Sequence, residues 1–195
     1  MLAAGGLIIA LIIGAVVLVV LGVLAVAIIG MYNGLVRLRE KVKTEWAQVE
    51  TLLKRRHDLI PNLVETVKGY ASHEKETLEN VIAARNAATS ATGVQDSMAA
   101  ENALSGALRQ LFAVAEAYPD LKANTNFAQL QSELTNTENG IASQRQGYND
   151  TVNQLNTKID TFPTNLIAGP FGFEKKPYFE VTTEAEREAP KVSFS

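Results

Sequence analysis

The first 31 residues of the chain differ in pattern from everything that follows. No charged side chain occurs in residues 1–36, and the run from Leu7 to Met31 consists almost entirely of Leu, Ile, Val, Ala and Gly. A helix needs about 20 apolar residues to cross a hydrocarbon core of ~30 Å, so this run is long enough to span a membrane. No second run of this kind follows. The pattern therefore predicts a single-pass transmembrane anchor over residues 1–32.

After the anchor, mostly apolar positions recur at intervals of three and four residues from Arg39 to Ala84. This spacing is typical of a helix that packs against other helices. Pro61 lies inside the run, and proline ordinarily kinks or ends a helix. The apolar phase nevertheless continues from Ile60 to Leu63, which favours a kinked helix over a reversal of the chain at Pro61. Both alternatives stay open on sequence grounds.

Two further helices are predicted, and they complete an all-α fold. A small, polar connection over 88–97 leads to a helix over 97–117, which ends near Pro119. A long helix over 124–162 begins at an Asn/Thr-rich capping segment and carries large apolar residues every seven positions. Gly140 and Gly147 weaken this helix by about 1 kcal/mol each relative to alanine, so we expect close packing there. The prediction is an up-and-down bundle of three to four long helices over 33–165.

The remaining segment, 166–195, is a tail unusually rich in aromatic residues. Four of these are candidate interface residues: Phe171, Phe173, Tyr178 and Phe179. Such a composition is not that of an ordinary disordered tail. Three docking partners stay open for it, namely the chain's own bundle, a neighbouring subunit and the membrane interface, where aromatic and lysine side chains settle together.

Basic residues around the anchor predict its orientation. Residues 1–6 contain no Lys or Arg, whereas Arg37, Arg39, Lys41 and Lys43 follow the anchor closely. The positive-inside rule then places the N-terminus outside and the body in the cytoplasm. A cleaved signal peptide is the alternative, because Ala25-Val26-Ala27 resembles a cleavage site. It is disfavoured because the basic n-region is missing and the apolar run exceeds the usual 7–15 residues.

Composition disfavours several classes of chemistry. The chain has no cysteine, which excludes disulfides, thiolate metal sites and a cysteine nucleophile. Its net charge of −3 provides no nucleic-acid footprint, and the basic residues near the anchor are better explained by attraction to anionic lipids. His57 and His73 lack an HExxH arrangement, and phosphate-loop and serine-hydrolase motifs are missing. We therefore predict no catalytic, cofactor-binding or metal-binding residues, and no cofactor.

Polar residues form two groups that the sequence singles out as structural. One group surrounds the proline and comprises Arg55, Arg56, Asp58, Pro61, Asn62 and Glu65; the other lies on the long helix and comprises Glu133, Glu138, Arg145 and Asn149. A helix break at Pro61 exposes backbone groups that polar side chains can satisfy. Facing networks of this kind would fix the register between helices or subunits. The alternative is that both groups are simply solvated helix faces.

Small residues recur within the anchor as candidate packing positions: Gly6, Ala10, Gly14, Gly22 and Gly30. Small residues let transmembrane helices approach closely. The glycines repeat every eight residues, which advances about 80° per repeat on a straight helix. They therefore do not share one face unless the helices wrap around each other right-handedly.

Several segments resemble the LemA family over nearly the whole chain. The matching stretches run from Leu53 to Tyr70, from Ala117 to Asn124 and from Asn126 to Leu134, with Tyr148-Asn149-Asp150 and Tyr178-Phe179 near the end. The resemblance implies a helical bundle in a bacterial cell membrane and no established enzyme activity. Some relatives in this family are associated with magnetosome formation.

Together these features predict a non-enzymatic, self-assembling scaffold that organises or shapes the bacterial cytoplasmic membrane. Its expected partners are membrane lipids, further copies of itself and other membrane proteins, but not nucleic acid. The competing function is a membrane-bound adaptor or regulator of a partner enzyme, such as a quality-control protease.

Overall fold

The computed structural model describes the backbone of residues 2–179 and the side chains of residues 11–179. All regular structure in this range is helical, as predicted: α1 Leu2–Lys68, α2 Lys75–Ser90, α3 Gly93–Ala115, α4 Pro119–Lys122, α5 Thr125–Asp160 and α6 Asn165–Ala168. The described residues form two compact units. The anchor unit comprises 2–42 and 151–176, and the bundle unit comprises 43–150 with 177–179. The predicted bundle segment 33–165 and the tail are thus each divided between the two units.

Helix α1 continues through Pro61, so the prediction of a continuous helix at this position is confirmed. The expectation that the helical run extends to Ala84 is wrong, because α1 ends at Lys68 and a turn occupies 69–74. The N–H groups of Tyr70 and Ala71 donate to the Val67 carbonyl at 3.0 and 2.8 Å. Ala71 is fully buried, like the core residues of the helices on either side. Apolar residues therefore continue to point into the core across the turn, although the helix itself ends.

The connection expected over 88–97 is also wrong in length, since only Ala91 and Thr92 separate α2 from α3. The hydroxyl of Ser90 donates to the Asn86 carbonyl at 3.0 Å, so the small polar side chains here lie within a helix. Gly93 has a φ of +81°, a conformation that glycine adopts without strain and that permits this tight turn.

The start of α5 agrees with its predicted cap. Asn124 accepts a hydrogen bond from the Phe127 N–H at 3.0 Å through its side-chain oxygen, which satisfies one of the free donors at the helix terminus. The helix ends at Asp160, two residues before the predicted boundary. Gly140 and Gly147 are close to α1, as expected: a Cβ at Gly140 would lie 3.4 Å from Leu52 and one at Gly147 3.5 Å from Glu45.

Within the bundle unit, α5 runs antiparallel to α1, since Gly147 lies close to Glu45 and Gly140 close to Leu52. Arg85 of α2 contacts the backbone of His57 in α1, and Gln144 of α5 donates to Gln48 of α1 at 2.8 Å. The core consists mainly of leucine, valine and isoleucine from all these helices: Ile60, Leu63, Val67, Leu78, Val81, Leu104, Leu108, Leu111, Leu121, Phe127 and Leu134. Burying such side chains contributes about 1.5–3 kcal/mol each before entropic costs, which makes this cluster the main source of stability.

In the anchor unit, the apolar stretch of α1 from Leu11 to Ile29 is exposed, with nothing packed over it among the described residues. An 18-residue window of α1 reaches a mean hydropathy of 3.3, and none of it is buried. Buried residues appear only after this stretch, where Leu35 and Val42 of α1 and Val152 and Leu155 of α5 are shielded from solvent. The exposed stretch is long and apolar enough to cross a membrane.

Candidate functional site

Pro61 is matched by a specific partner on the neighbouring helix. Because proline has no N–H, the carbonyl of His57 four residues earlier loses its helical hydrogen bond. The Nε of Arg85 in α2 donates to this carbonyl at 3.3 Å. The proline is therefore tolerated within α1 because a side chain of α2 supplies the missing donor.

One turn before the proline, Arg56 is buried at the centre of an ion network. Its side chain is 2% exposed. One terminal nitrogen donates to Glu138 at 2.7 Å and to the Ser105 hydroxyl at 3.0 Å, and the other donates to the carboxylate of Glu101. We call Arg56, His57, Glu101, Ser105 and Glu138 the Arg56 network. It joins α1, α3 and α5, and a buried cation needs such partners because its desolvation is costly.

His57 completes the network as a neutral side chain. Its Nε2 lies 2.6 Å from Glu101. Burial lowers the pKa of His57 below its usual value of 6.5, and the charges of Arg56 and Arg85 act in the same direction against a smaller opposing effect of Asp58. A neutral imidazole that carries its proton on Nε2 can donate to the carboxylate, which accepts from Arg56 on its other oxygen. One buried carboxylate thus serves two side chains of α1.

Other polar residues singled out from the sequence lie outside this network. Arg55 forms an exposed ion pair with Glu133 at 2.5 Å. Asp58, Asn62 and Glu65 are exposed on α1. The residues that sequence reasoning missed are Glu101 and Ser105. Glu101 lies three positions before Leu104, on the apolar stripe of α3, and that position was the available sign of its burial.

The Arg56 network connects three helices, and its centre is inaccessible to a substrate. Its central guanidinium and carboxylate are almost completely shielded from solvent, so a substrate cannot reach them without opening the bundle. Among residues 11–179, no group of three His, Asp or Glu side chains converges as metal ligands do. The ion pairs and hydrogen bonds of the Arg56 network can hold α1, α3 and α5 in register.

Residues 177–179 of the tail are held by α5 in the bundle unit. Asn149 forms a reciprocal pair of hydrogen bonds with the backbone of Phe179, at 2.7 and 2.9 Å. The Phe179 ring is 3% exposed and lies against Trp46, with the Arg145 guanidinium 4.4 Å from its centroid. The Tyr148 hydroxyl donates to the Pro177 carbonyl at 2.9 Å, and burial raises the pKa of Tyr148 to about 12. Tyr178, between these positions, is half-buried.

The anchor unit repeats this clamp in the preceding part of the tail. Asn156 and the backbone of Lys176 exchange two hydrogen bonds of 2.9 Å. Phe173 is 6% exposed, whereas Phe171 is exposed, and both rings contact Tyr32 with centroid distances of 5.6 and 5.3 Å. Up to Phe179, the tail therefore docks on helices of its own chain, which is the first of the three alternatives left open by the sequence.

The glycines of the anchor lie on an open surface. A Cβ added at Gly14, Gly22 or Gly30 would meet no atom within 4 Å. Gly6 and Ala10 lie outside residues 11–179, for which side-chain surroundings are described. Among residues 11–179, no atom therefore packs closely against Gly14, Gly22 or Gly30.

Comparison with known proteins agrees with this architecture. A model of the LemA family matches residues 45–194, which is most of the chain. The chain belongs to the LemA family. The resemblance seen in the sequence is thereby confirmed, and together with the apolar helix it marks a membrane-associated protein.

Individual relatives of this LemA protein are similar at low identity. Protein LemA from Metamycoplasma hominis is 27% identical over 171 residues, covering 86% of this chain and 76% of that protein. Magnetosome protein MamQ 2 from Paramagnetospirillum magneticum is 23% identical, and Magnetosome protein MamQ from Magnetospirillum gryphiswaldense is 22% identical. Each magnetosome match covers 76% of this chain and 64% of the relative, so the chain spans less than two thirds of those proteins.

Proposed function

We propose that this LemA-family protein is a non-enzymatic, membrane-anchored scaffold that self-assembles and organises or shapes the bacterial cytoplasmic membrane. The observation that carries the proposal is the apolar stretch of α1, whose side chains from Leu11 to Ile29 are not covered by any other part of residues 11–179. The bundle unit contributes helices held in register by the buried Arg56 network. The names of the relatives specify no reaction, which supports a role without catalysis.

The size of the full chain in mild detergent tests the proposal. A scaffold is expected to elute as a large, uniform assembly when size-exclusion chromatography is combined with light scattering. A strictly monomeric protein would contradict self-assembly and favour the adaptor function, in which the chain binds a partner membrane enzyme.

The glycines of the anchor allow a sharper version of this test. Gly14→Ile combined with Gly22→Ile adds bulk where the chain itself has open space, so a smaller assembly would report contacts between copies. Val16→Leu with Val20→Leu is the matched control, because these exposed positions lie roughly 200° and 240° around the helix from Gly14. Equal assembly sizes for the two variants would show that Gly14 and Gly22 do not lie in the interface between copies.

The proposed orientation places the N-terminus outside and the body in the cytoplasm. Because the sequence has no cysteine, one introduced thiol can report its position. Ser143→Cys lies on the exposed face of α5 and is expected to react with a membrane-impermeant reagent only after the cells are permeabilised. Ala3→Cys is the control. It precedes the apolar run that begins at Leu7 and is expected to react in intact cells. Labelling of the Ser143→Cys variant in intact cells would reverse the orientation.

A further inference from the structure

The anchor unit contains a cavity that the scaffold function does not use. It has a volume of about 810 Å³ and lies between α1 and the C-terminal part of α5. Gly34 of α1 forms part of its wall, and a Cβ there would lie 3.4 Å from the Lys158 ammonium. The missing side chain thus leaves room for Lys158 beside the backbone of α1.

The cavity is strongly cationic. Arg37 and Lys41 from α1 and Lys158 from α5 line it, together with neutral polar side chains such as Asn153 and Thr157. No carboxylate belongs to the lining. Considering residues 11–179, none of the three cations forms an ion pair with an acidic side chain. Three unneutralised cations around one cavity repel each other, and a bound anion would relieve this repulsion.

Two other cations of the same unit, Lys175 and Arg39, contact acidic side chains of the chain. Lys175 forms an ion pair with Asp160 at 2.7 Å. Arg39 contacts Glu40 at 3.3 Å and lies over the Phe173 ring at 5.4 Å. The unit therefore pairs Lys175 and Arg39 internally, whereas Arg37, Lys41 and Lys158 line the cavity.

The position of the cavity along α1 matches the depth of lipid headgroups. With a rise of 1.5 Å per residue, Gly34 lies ~4.5 Å and Arg37 ~9 Å beyond Met31, where the apolar run ends. The headgroup layer of one leaflet is roughly 5–8 Å thick, by the difference between the full bilayer and its hydrocarbon core. Long basic side chains reach back toward this layer.

Exposed apolar side chains in the same unit also indicate contact with a bilayer. Phe162 and Leu166 follow α5 and are 74% and 64% exposed, and Phe171 is 54% exposed beside Tyr32. Large exposed apolar residues next to basic ones are typical of surfaces that settle at a membrane interface.

We propose that this cavity binds the phosphate of an anionic phospholipid headgroup. Arg37, Lys41 and Lys158 contact the phosphate oxygens, and the hydroxyl and amide groups beside them donate further hydrogen bonds. The proposal deepens the membrane-organising function, since it names the lipid class on which the anchor acts, but it does not depend on self-assembly.

Native mass spectrometry of the full chain in mild detergent tests this site. With equal amounts of phosphatidylglycerol and phosphatidylcholine, the protein is expected to retain phosphatidylglycerol preferentially. Arg37→Gln, Lys41→Gln and Lys158→Gln combined are expected to weaken this retention by roughly a hundredfold, because each charge near the surface contributes about fivefold in affinity. Unchanged retention in the triple variant would overturn the proposal.

Matched variants separate the cavity from general surface charge. Lys54→Gln, Lys68→Gln and Lys75→Gln remove the same charge from exposed positions of the bundle unit and are expected to leave retention unchanged. Gly34→Leu keeps the net charge but displaces Lys158, so it is expected to reduce retention, whereas Gly30→Leu, in open space one turn earlier, is not. An equal loss with the bundle variant would show that no specific site exists.

Two further measurements distinguish a lipid from free phosphate and the lipid site from self-assembly. Inorganic phosphate at millimolar concentration is expected not to displace the lipid, and displacement would assign the cavity to free phosphate instead. The same spectra report the number of chains in the complex. A monomer that retains phosphatidylglycerol would contradict the scaffold while supporting the lipid site, and circular dichroism of each variant confirms that helix content is preserved.

Discussion

A buried cation of the bundle unit and three cations of the anchor unit have opposite surroundings. In the bundle unit, Arg56 is almost completely buried and contacts two carboxylates of its own chain. In the anchor unit, Arg37, Lys41 and Lys158 line an open cavity without a carboxylate. A cation withdrawn from water needs a partner within the fold, whereas one at the surface can await an external partner. Burial together with an internal partner therefore distinguishes Arg56, which holds helices together, from the three cavity cations, which are available for binding.

Two adjacent arginines show that burial decides how much an ion pair contributes. Arg55 and Arg56 are neighbours on α1, and both form ion pairs with glutamates of α5. The Arg55 side chain is 60% exposed, so its pair with Glu133 contributes about 0–1 kcal/mol at most. Arg56 differs because it lies on the buried stripe of the helix, where loss of a partner leaves a charge without compensation.

The largest expected effect follows from removing the buried carboxylate. Glu101→Ala leaves Arg56 without its central partner and is expected to lower the free energy of unfolding by about 3–5 kcal/mol. Denaturant-induced unfolding of the full chain in detergent, followed by the loss of helical signal, measures this change. The double variant Arg56→Met with Glu101→Leu is expected to recover a large part of the loss, because the uncompensated charge is then absent.

The matched control for this prediction comes from the anchor unit. Lys158→Gln removes an unpaired cation and is expected to change the free energy of unfolding by less than about 0.5 kcal/mol. A loss from this substitution comparable to that of Glu101→Ala would show that the cavity cations also stabilise the fold, and the contrast between the two units would fail.

A smaller effect is expected from pH. Because the pKa of His57 is lowered in the folded protein, the unfolded chain takes up a proton first as the pH falls below about 6.5. Stability is therefore greatest above this pH and decreases toward the folded-state pKa, with a slope of at most about 1.4 kcal/mol per pH unit. Unfolding measured between pH 5.5 and 7.5 tests this dependence.

Histidine variants assign the pH effect to one side chain. His57→Gln is expected to flatten the slope, whereas His73→Gln, at an exposed position, is expected to leave it unchanged. Identical slopes for the two variants would mean that His57 does not titrate differently in the folded and unfolded states, and that its place in the Arg56 network has no influence on stability near neutral pH.

Much of the fold was accessible from the sequence because helical periodicity is a local property. The anchor, the long helix α5 and the continuity of α1 through Pro61 all follow from apolar spacing over neighbouring turns. The same spacing also contained a sign of the buried network, since Arg56 lies between Leu53 and Ile60 on the apolar stripe of α1. A charged residue on such a stripe indicates that a partner lies opposite.

The sequence by itself determined which residues face the interior, but only the tertiary structure decided which of them meet. Glu101 lies 45 positions from Arg56, and Lys158 lies more than a hundred positions from Gly34, so no local pattern could pair them. The turn at 69–74 was hidden for the same reason, because Val67 and Leu78 enter one core from the helices on both sides of it, and Ala71 enters the same core from the turn itself. Periodicity records the direction of a side chain relative to its own helix, whereas ion pairs, turns and cavities depend on distances between helices.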